Sequence, residues 1–132
     1  MTHPTLESWH RIVRTADAAA LPALVAEDAV FHSPIVHSPR RGRDQVLLYL
    51  GAALKVVRNP SFRYVREIAG ERDAMLEFET MLDEVQVNGV DIIAWNDAGL
   101  ITDFKVMLRP LKGIDAVHRK MAEMLQAMPA AG

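Results

Sequence analysis

The chain has 132 residues and no cysteine. That excludes a disulfide framework, a thiolate zinc site, an iron–sulfur centre and a thiol nucleophile, and it fits the reducing cytoplasm. An excess of one charge is missing as well: 15 basic side chains face 17 acidic ones, for a formal charge of −2. Such a balance gives the chain no general attraction to nucleic acid or anionic membrane, so neither is expected as a partner. Long apolar runs are also absent. Residues 46–54 form one of the longest, well short of the roughly 20 needed to cross a bilayer, and they read as a buried face. Residues 1–7 lack the charged-then-apolar pattern of a signal peptide. What remains is an ordinary globular mixture, 50% apolar and 24% charged, without repeats or linkers. Its length suits one domain over residues 1–132, with 129–132 as a frayed tail.

Leu6, Trp9, Ile12 and Val13 recur at helical spacing and predict a first amphipathic helix. Asp17 is placed to cap a second, with Leu21, Leu24 and Val25 facing inward and Pro22 in about its first turn. Residues 29–33 read as a short strand closed by Pro34, and residues 34–42 as an irregular loop. A third helix runs from Gly42 and Asp44 to about Val57, ended by Asn59-Pro60. From Phe62 the period changes to two, and residues 62–68, 74–85, 90–95 and 101–108 read as strands. Residues 70–73, 86–89 and 96–99 are their turns. Arg109-Pro110 stops the sheet, and residues 114–128 form a final helix. Helices followed by a meandering antiparallel sheet predict an α+β fold.

Strict alternation places Thr102, Phe104, Val106 and Leu108 on one sheet face, opposite Asp103, Lys105 and Arg109. It likewise sets Leu76, Phe78, Thr80 and Leu82 against Glu77, Glu79 and Asp83. The first face is apolar and covered. The other is polar but carries Met75, Met81, Ile101 and Met107, and such residues on a solvated face predict a homodimer through the outer sheet face. Glu77 and Glu79 point the same way and are read as pairing with Lys105 or Arg66 across the sheet.

These residues resemble the nuclear transport factor 2-like superfamily, and within it SnoaL-like and ketosteroid-isomerase-like proteins. Asp17, Ala23-Leu24, Ala26, Asp28-Ala29, Pro34, Pro39-Arg40 and Gly42 fall where the isomerases have them. Residues 89–101, followed by Phe104, Val106 and Arg109-Pro110, look like the SnoaL-like signature. The resemblance implies a cone-shaped curved antiparallel sheet wrapped by N-terminal helices, the cystatin-like roll. It leaves the activity open, because this fold hosts isomerases, cyclases, dehydratases, hydrolases and non-enzymatic binders.

Ketosteroid isomerases use a general-base aspartate, with a tyrosine and a protonated aspartate hydrogen-bonding the developing oxyanion. The resemblance puts Ser33 at the base position, Trp9 at the tyrosine position and Asp91 at the second aspartate. A serine hydroxyl takes no proton from carbon near neutral pH unless another group activates it. An indole N–H donates a hydrogen bond but exchanges no proton. The ketosteroid isomerase mechanism is therefore not expected.

Asp91 is the leading catalytic candidate, since burial in an apolar cone would raise its pKa and make it a neutral hydrogen-bond donor. The alternative is a strand-end aspartate that meets backbone or water at the rim. Ser33 and His37 are the further candidates. His32 points outward by alternation, His10 lies on a different helix face from Trp9, and His3 and His118 read as terminus and surface. No histidine pair has a metal-binding spacing, and no GxSxG, GxGxxG or P-loop motif is present, so neither metal nor cofactor is expected. Arg40, Arg41 and Arg43 form the one concentrated basic patch. It either steers an acidic ligand to the cone mouth or, more simply, is a solvated loop.

The expected pocket lies between the sheet and the first and third helices. Trp9, Phe31, Ser33, Tyr49, Phe78, Phe104, Val106 and Leu108 line it, with Asp91 deep inside. Such a space suits a small apolar, oxygen-bearing molecule. Three readings follow: a cofactor-independent isomerase, cyclase or dehydratase working by proton transfer; a non-enzymatic binding or accessory homodimer; or a cone filled by its own side chains.

Overall fold

Pro4 opens helix α1 (Pro4–Thr15) where its missing N–H costs nothing, and Ala16, at φ 55°, turns the chain away at the other end. Leu6, Trp9, Ile12 and Val13 are buried along the inner face. The computed structural model describes residues 3–127, so the tail at 129–132 and the helix end at Met128 lie outside the described residues.

The second expected helix shortens to a 3-10 helix, Ala18–Ala23. Pro22 has no N–H to return to the Ala18 carbonyl, so an α-helix cannot propagate from that start, and Asp17 makes no side-chain cap. Val25, expected on that helix, instead begins strand β1 (Val25–His32). The expected loop contains a short strand, β2 (Arg40–Arg41), after which Gly42 at φ 97° swings the chain into α2 (Arg43–Val57). Four strands follow: β3 (Arg63–Ala69), β4 (Asp73–Leu82), β5 (Val85–Trp95) and β6 (Ile101–Arg109). Helix α3 (Leu111–Ala127) ends the described chain.

The strands form one curved, unclosed sheet in the order β2-β1-β6-β5-β4-β3. All neighbours are antiparallel except β1 and β6, which run parallel. This α+β fold has the expected class, with one parallel pair that the meander did not suggest. The long excursion through α2 and three antiparallel strands supplies the crossover that parallel neighbours need. Helices α1 and α2 share the main core with the inner sheet face, and α3 builds a second cluster over Leu82 and Val87. No described helix is long and apolar enough to cross a membrane.

Two local readings are corrected. The turn expected at 86–89 is a two-residue hairpin at Asp83 and Glu84, with φ of 49° and 66°, closed by the Leu82–Val85 pair. Asn88 and Gly89 lie inside β5. Asn88 Nδ2 donates to the Phe78 carbonyl at 2.9 Å and to Glu77 Oε2 at 3.0 Å, while Gly89 leaves room for the Phe78 ring. Ile101, expected on the outer face, is fully buried. Trp95 pairs with Ile101 but Ala94 pairs with Asp103, so Thr102 is an extra, bulged residue that flips the alternation.

A Cβ at Gly89 would overlap the Phe78 ring and come within 2.7 Å of Leu108 Cδ2. Gly89→Ala is expected to cost roughly 1–3 kcal/mol, the usual penalty of overpacking. Urea unfolding reads this as a lower midpoint, and an unchanged midpoint would show that Phe78 has room to move.

Candidate functional site

Three elements bring one polar side chain each to the same point. Helix α1 carries Trp9 on its buried face, β3 carries Tyr64, and β5 carries Asp91. Trp9 Nε1 donates to the Tyr64 hydroxyl at 2.9 Å, and that hydroxyl donates to Asp91 Oδ2 at 2.7 Å. The indole N–H can only donate, so Tyr64 must accept from Trp9, and its own proton is then best satisfied on Asp91. Asp91 Oδ1 accepts no hydrogen bond from the described residues, and it is not sealed off. Among those residues only Arg40 Nε is a buried side-chain donor or acceptor without a partner. Oδ1 is therefore accessible, and Asp91 lies on the wall of the adjoining cavity.

Asp91 is 7% exposed. Burial lifts its pKa from the ordinary 3.8 to about 7, while the hydrogen bond from Tyr64 pulls the other way. Tyr64 is pushed well above its ordinary 10, by burial first and then by the neighbouring Asp91 charge. Tyr64 thus remains a proton-bearing donor, and Asp91 is the group that changes state near neutrality.

The cavity has a volume of about 230 Å³. Trp9, Phe31, Ser33, Tyr49, Phe78, Asp91, Phe104, Val106 and Leu108 all lie on its wall. Phe31 stacks on Tyr49 with centroids 5.8 Å apart, and Trp9 meets the Phe104 ring edge-on at 5.0 Å. Ser33 is partly buried, and its Oγ accepts the Ile35 N–H at 3.0 Å, a local turn contact. His37 is exposed on the loop and is not part of the wall. His32 turns outward to Asp103 at 2.9 Å, and His10 bonds Glu67 at 2.5 Å. Glu77 and Glu79 pair with Arg66 and Arg63, not with Lys105.

Three parts of the site were not anticipated. Tyr64 sits with Phe62 on the inward face of β3, and a tyrosine on an apolar face needs a partner for its hydroxyl; that was the available signal. Helix α3 closes the cavity with Val117, Met121 and Leu125, and brings His118 to its rim. Arg40, part of the basic cluster read either as steering an acidic ligand to the cone mouth or as a solvated loop, lines the wall, and Arg43 donates to the Val25 carbonyl at 2.9 Å.

A curved sheet enclosing an apolar cavity between helices defines a cystatin-like, nuclear transport factor 2-like protein. Within that class the chain belongs to the SnoaL-like domain family, whose model matches residues 6–104. It is similar to a steroid delta-isomerase from Pseudomonas aeruginosa, at 37% identity over 93% of this chain and 90% of that one, with a TM-score of 0.89. An uncharacterised bacterial protein with a cystatin-like fold from Silicibacter pomeroyi DSS-3 is 35% identical over 96% and 88% of the two chains, with a TM-score of 0.87. The epoxide hydrolase/cyclase-like enzyme SalBIII, of pyran ring formation in salinomycin, shares the fold alone, at 19% identity over 80% and 88% and a TM-score of 0.63. No curated protein matches the chain.

The raised Asp91 pKa makes stability depend on pH in a defined direction. Between about 4 and 7 the native carboxyl keeps a proton that the unfolded chain has released, so stability falls as pH rises through that window and is level above it. At 1.36 kcal/mol per unit the full span is about 4 kcal/mol. Asp91→Asn keeps an acceptor for Tyr64 and cannot ionise. Its stability relative to wild type is expected to rise by up to that amount between pH 4 and 8 in urea unfolding. Parallel profiles for the two proteins would show that Asp91 titrates normally.

Proposed function

We propose that the chain binds a small, mainly apolar, oxygen-bearing molecule in this cavity and moves a proton on it without a cofactor, as an isomerase or cyclase does. The observation that carries the reading is Asp91, a titrating carboxyl group on the wall of an apolar space, with a pKa of about 7. Near that pH both forms are populated, so the group takes a proton from an acidic C–H or returns one to an oxygen. Tyr64 steadies the charged form by donating to Oδ2, and Trp9 holds Tyr64 in that orientation. The name of the 37% identical relative sets a steroid delta-isomerase on a closely similar chain, which supports the same reaction class here.

Ser33 favours a second reading, a non-enzymatic binding domain. It stands where the family resemblance puts the isomerases' base, and its Oγ is engaged with the Ile35 N–H. Both readings include a cytoplasmic homodimer joined through the outer sheet face. Met75, Met81 and Met107 are 45%, 41% and 50% exposed, and Ile68 59%.

Native mass spectrometry of freshly purified protein, followed by denaturation of the same sample, tests the proposal. The expected result is a dimer that releases a defined small molecule, which then serves as the assay compound. Turnover lost in Asp91→Asn with binding retained supports proton transfer, and a variant indistinguishable from wild type supports the binding domain. Bare polypeptide that also fails to bind small apolar ketones and acids would overturn both readings. Light scattering showing a monomer at micromolar concentration would remove the dimer.

A further inference from the structure

Arg40 is a cation on the cavity wall without a counter-charge. It pairs with Phe31 across β1 and β2, and its guanidinium lies over the Tyr49 ring, 5.2 Å from the centroid. Its Nε is a buried donor without an acceptor, the one such side-chain atom among the described residues. No described carboxylate lies within ion-pair distance of it. Buried donors without acceptors are rare in folded proteins, because the group has lost water and gained nothing in return. The other basic groups on the wall differ. Arg58 donates through Nε to the Val13 carbonyl at 3.0 Å and through Nη2 to the Arg14 carbonyl at 2.7 Å, while His118 is exposed at the rim.

An unbroken aromatic wall leads from Arg40 to the carboxyl group. Tyr49 stacks on Phe31, Phe31 on Phe104 at 6.2 Å, and Trp9 meets Phe104 before reaching Asp91 through Tyr64. The sheet register agrees. Arg40, Phe31, Phe104 and Ile93 are successive cross-strand partners, and Asp91 lies two residues from Ile93 on the same face of β5. Three strand spacings separate β2 from β5, roughly 14 Å along the sheet. Arg40 and Asp91 therefore reach the cavity from strands three spacings apart.

We infer that the ligand is an amphipathic organic anion, with a carboxylate or similar oxyanion on Arg40, an apolar body along the aromatic wall and its reacting oxygen function at Asp91. The inference rests on the cavity being a ligand site and adds the charge and polarity of what enters it. A guanidinium offers paired donors that match an oxyanion, and the ligand charge supplies the counter-charge that Arg40 lacks on the cavity wall. The ligand's counter-charge lies at the Arg40 end, so the anion enters in one orientation. The volume of about 230 Å³ exceeds the roughly 150 Å³ of a cavity that takes benzene, leaving room for two fused rings.

Isothermal titration with naphthoate and its neutral counterpart naphthamide, near neutral pH and at low salt, tests this assignment. Wild type is expected to prefer naphthoate by about tenfold or more, the effect of one charge-assisted hydrogen bond. Arg40→Gln should bind the two equally, and Arg40→Lys should keep part of the preference. Equal affinities in wild type, or a preference that survives in Arg40→Gln, would overturn the role of Arg40 while leaving the cavity reading intact. Failure of both probes to bind would overturn the cavity reading and this inference together.

Discussion

The hydrogen bond from Tyr64 to Asp91, 2.7 Å long, is what makes a carboxyl group tolerable inside this cavity. An unpaired ionised carboxylate in apolar surroundings is far costlier than a single contact repays, so the group rises in pKa and keeps one good donor. That donor is itself held by Trp9. The three residues come from α1, β3 and β5, and none of these elements positions the site alone. Removing any member strands a polar group, so the arrangement constrains how far the helix and the edge strand can move.

Departures from regular sheet geometry create the space around that trio. The register slips after Tyr64, so that Arg66 comes level with Glu77 on the outer face while Tyr64 remains opposite Phe78. A second slip at Thr102 buries Ile101 beneath α1 and the 3-10 helix region, and Gly89 admits the Phe78 ring. Bulges and glycines of this kind bend a sheet locally. Tyr64 stands opposite Phe78 and Asp91 opposite Leu76, so alternation puts them on one face, and the bends curve that face.

Membership of the SnoaL-like family fixes the scaffold and leaves the chemistry to the lining residues. In this chain the loop after β1 offers Ser33, whose hydroxyl serves a local turn, and the carboxyl group whose pKa burial raises is Asp91. Arg40 adds a cation on the cavity wall. One titrating acid, one fixed cation and an aromatic wall between them describe a site with two distinct ends, which a generic apolar cone would lack.

Much of the architecture was legible from periodicity. The faces of α1 and α2, the change to two-residue alternation after Phe62 and the buried stripe of β4 follow from patterns within single elements, as does the outward turn of His32. The lining residues from Trp9 to Leu108 were legible once the family resemblance set the sheet over the helices. The misreadings were local signals answered by distant atoms: Asn88-Gly89 looked like a turn, yet its glycine makes room for Phe78 and its asparagine bonds Glu77. Periodicity, charge balance and family resemblance thus determined the class, the buried faces of α1 and α2 and most of the inner sheet face, because each depends on near neighbours in sequence. Only the tertiary structure decided that Tyr64 meets Trp9 and Asp91, 55 and 27 residues away, and that Arg40 turns to the cavity. Hydrogen-bond partners, burial and pKa are set by atoms close in space, and no local pattern in the chain encodes them.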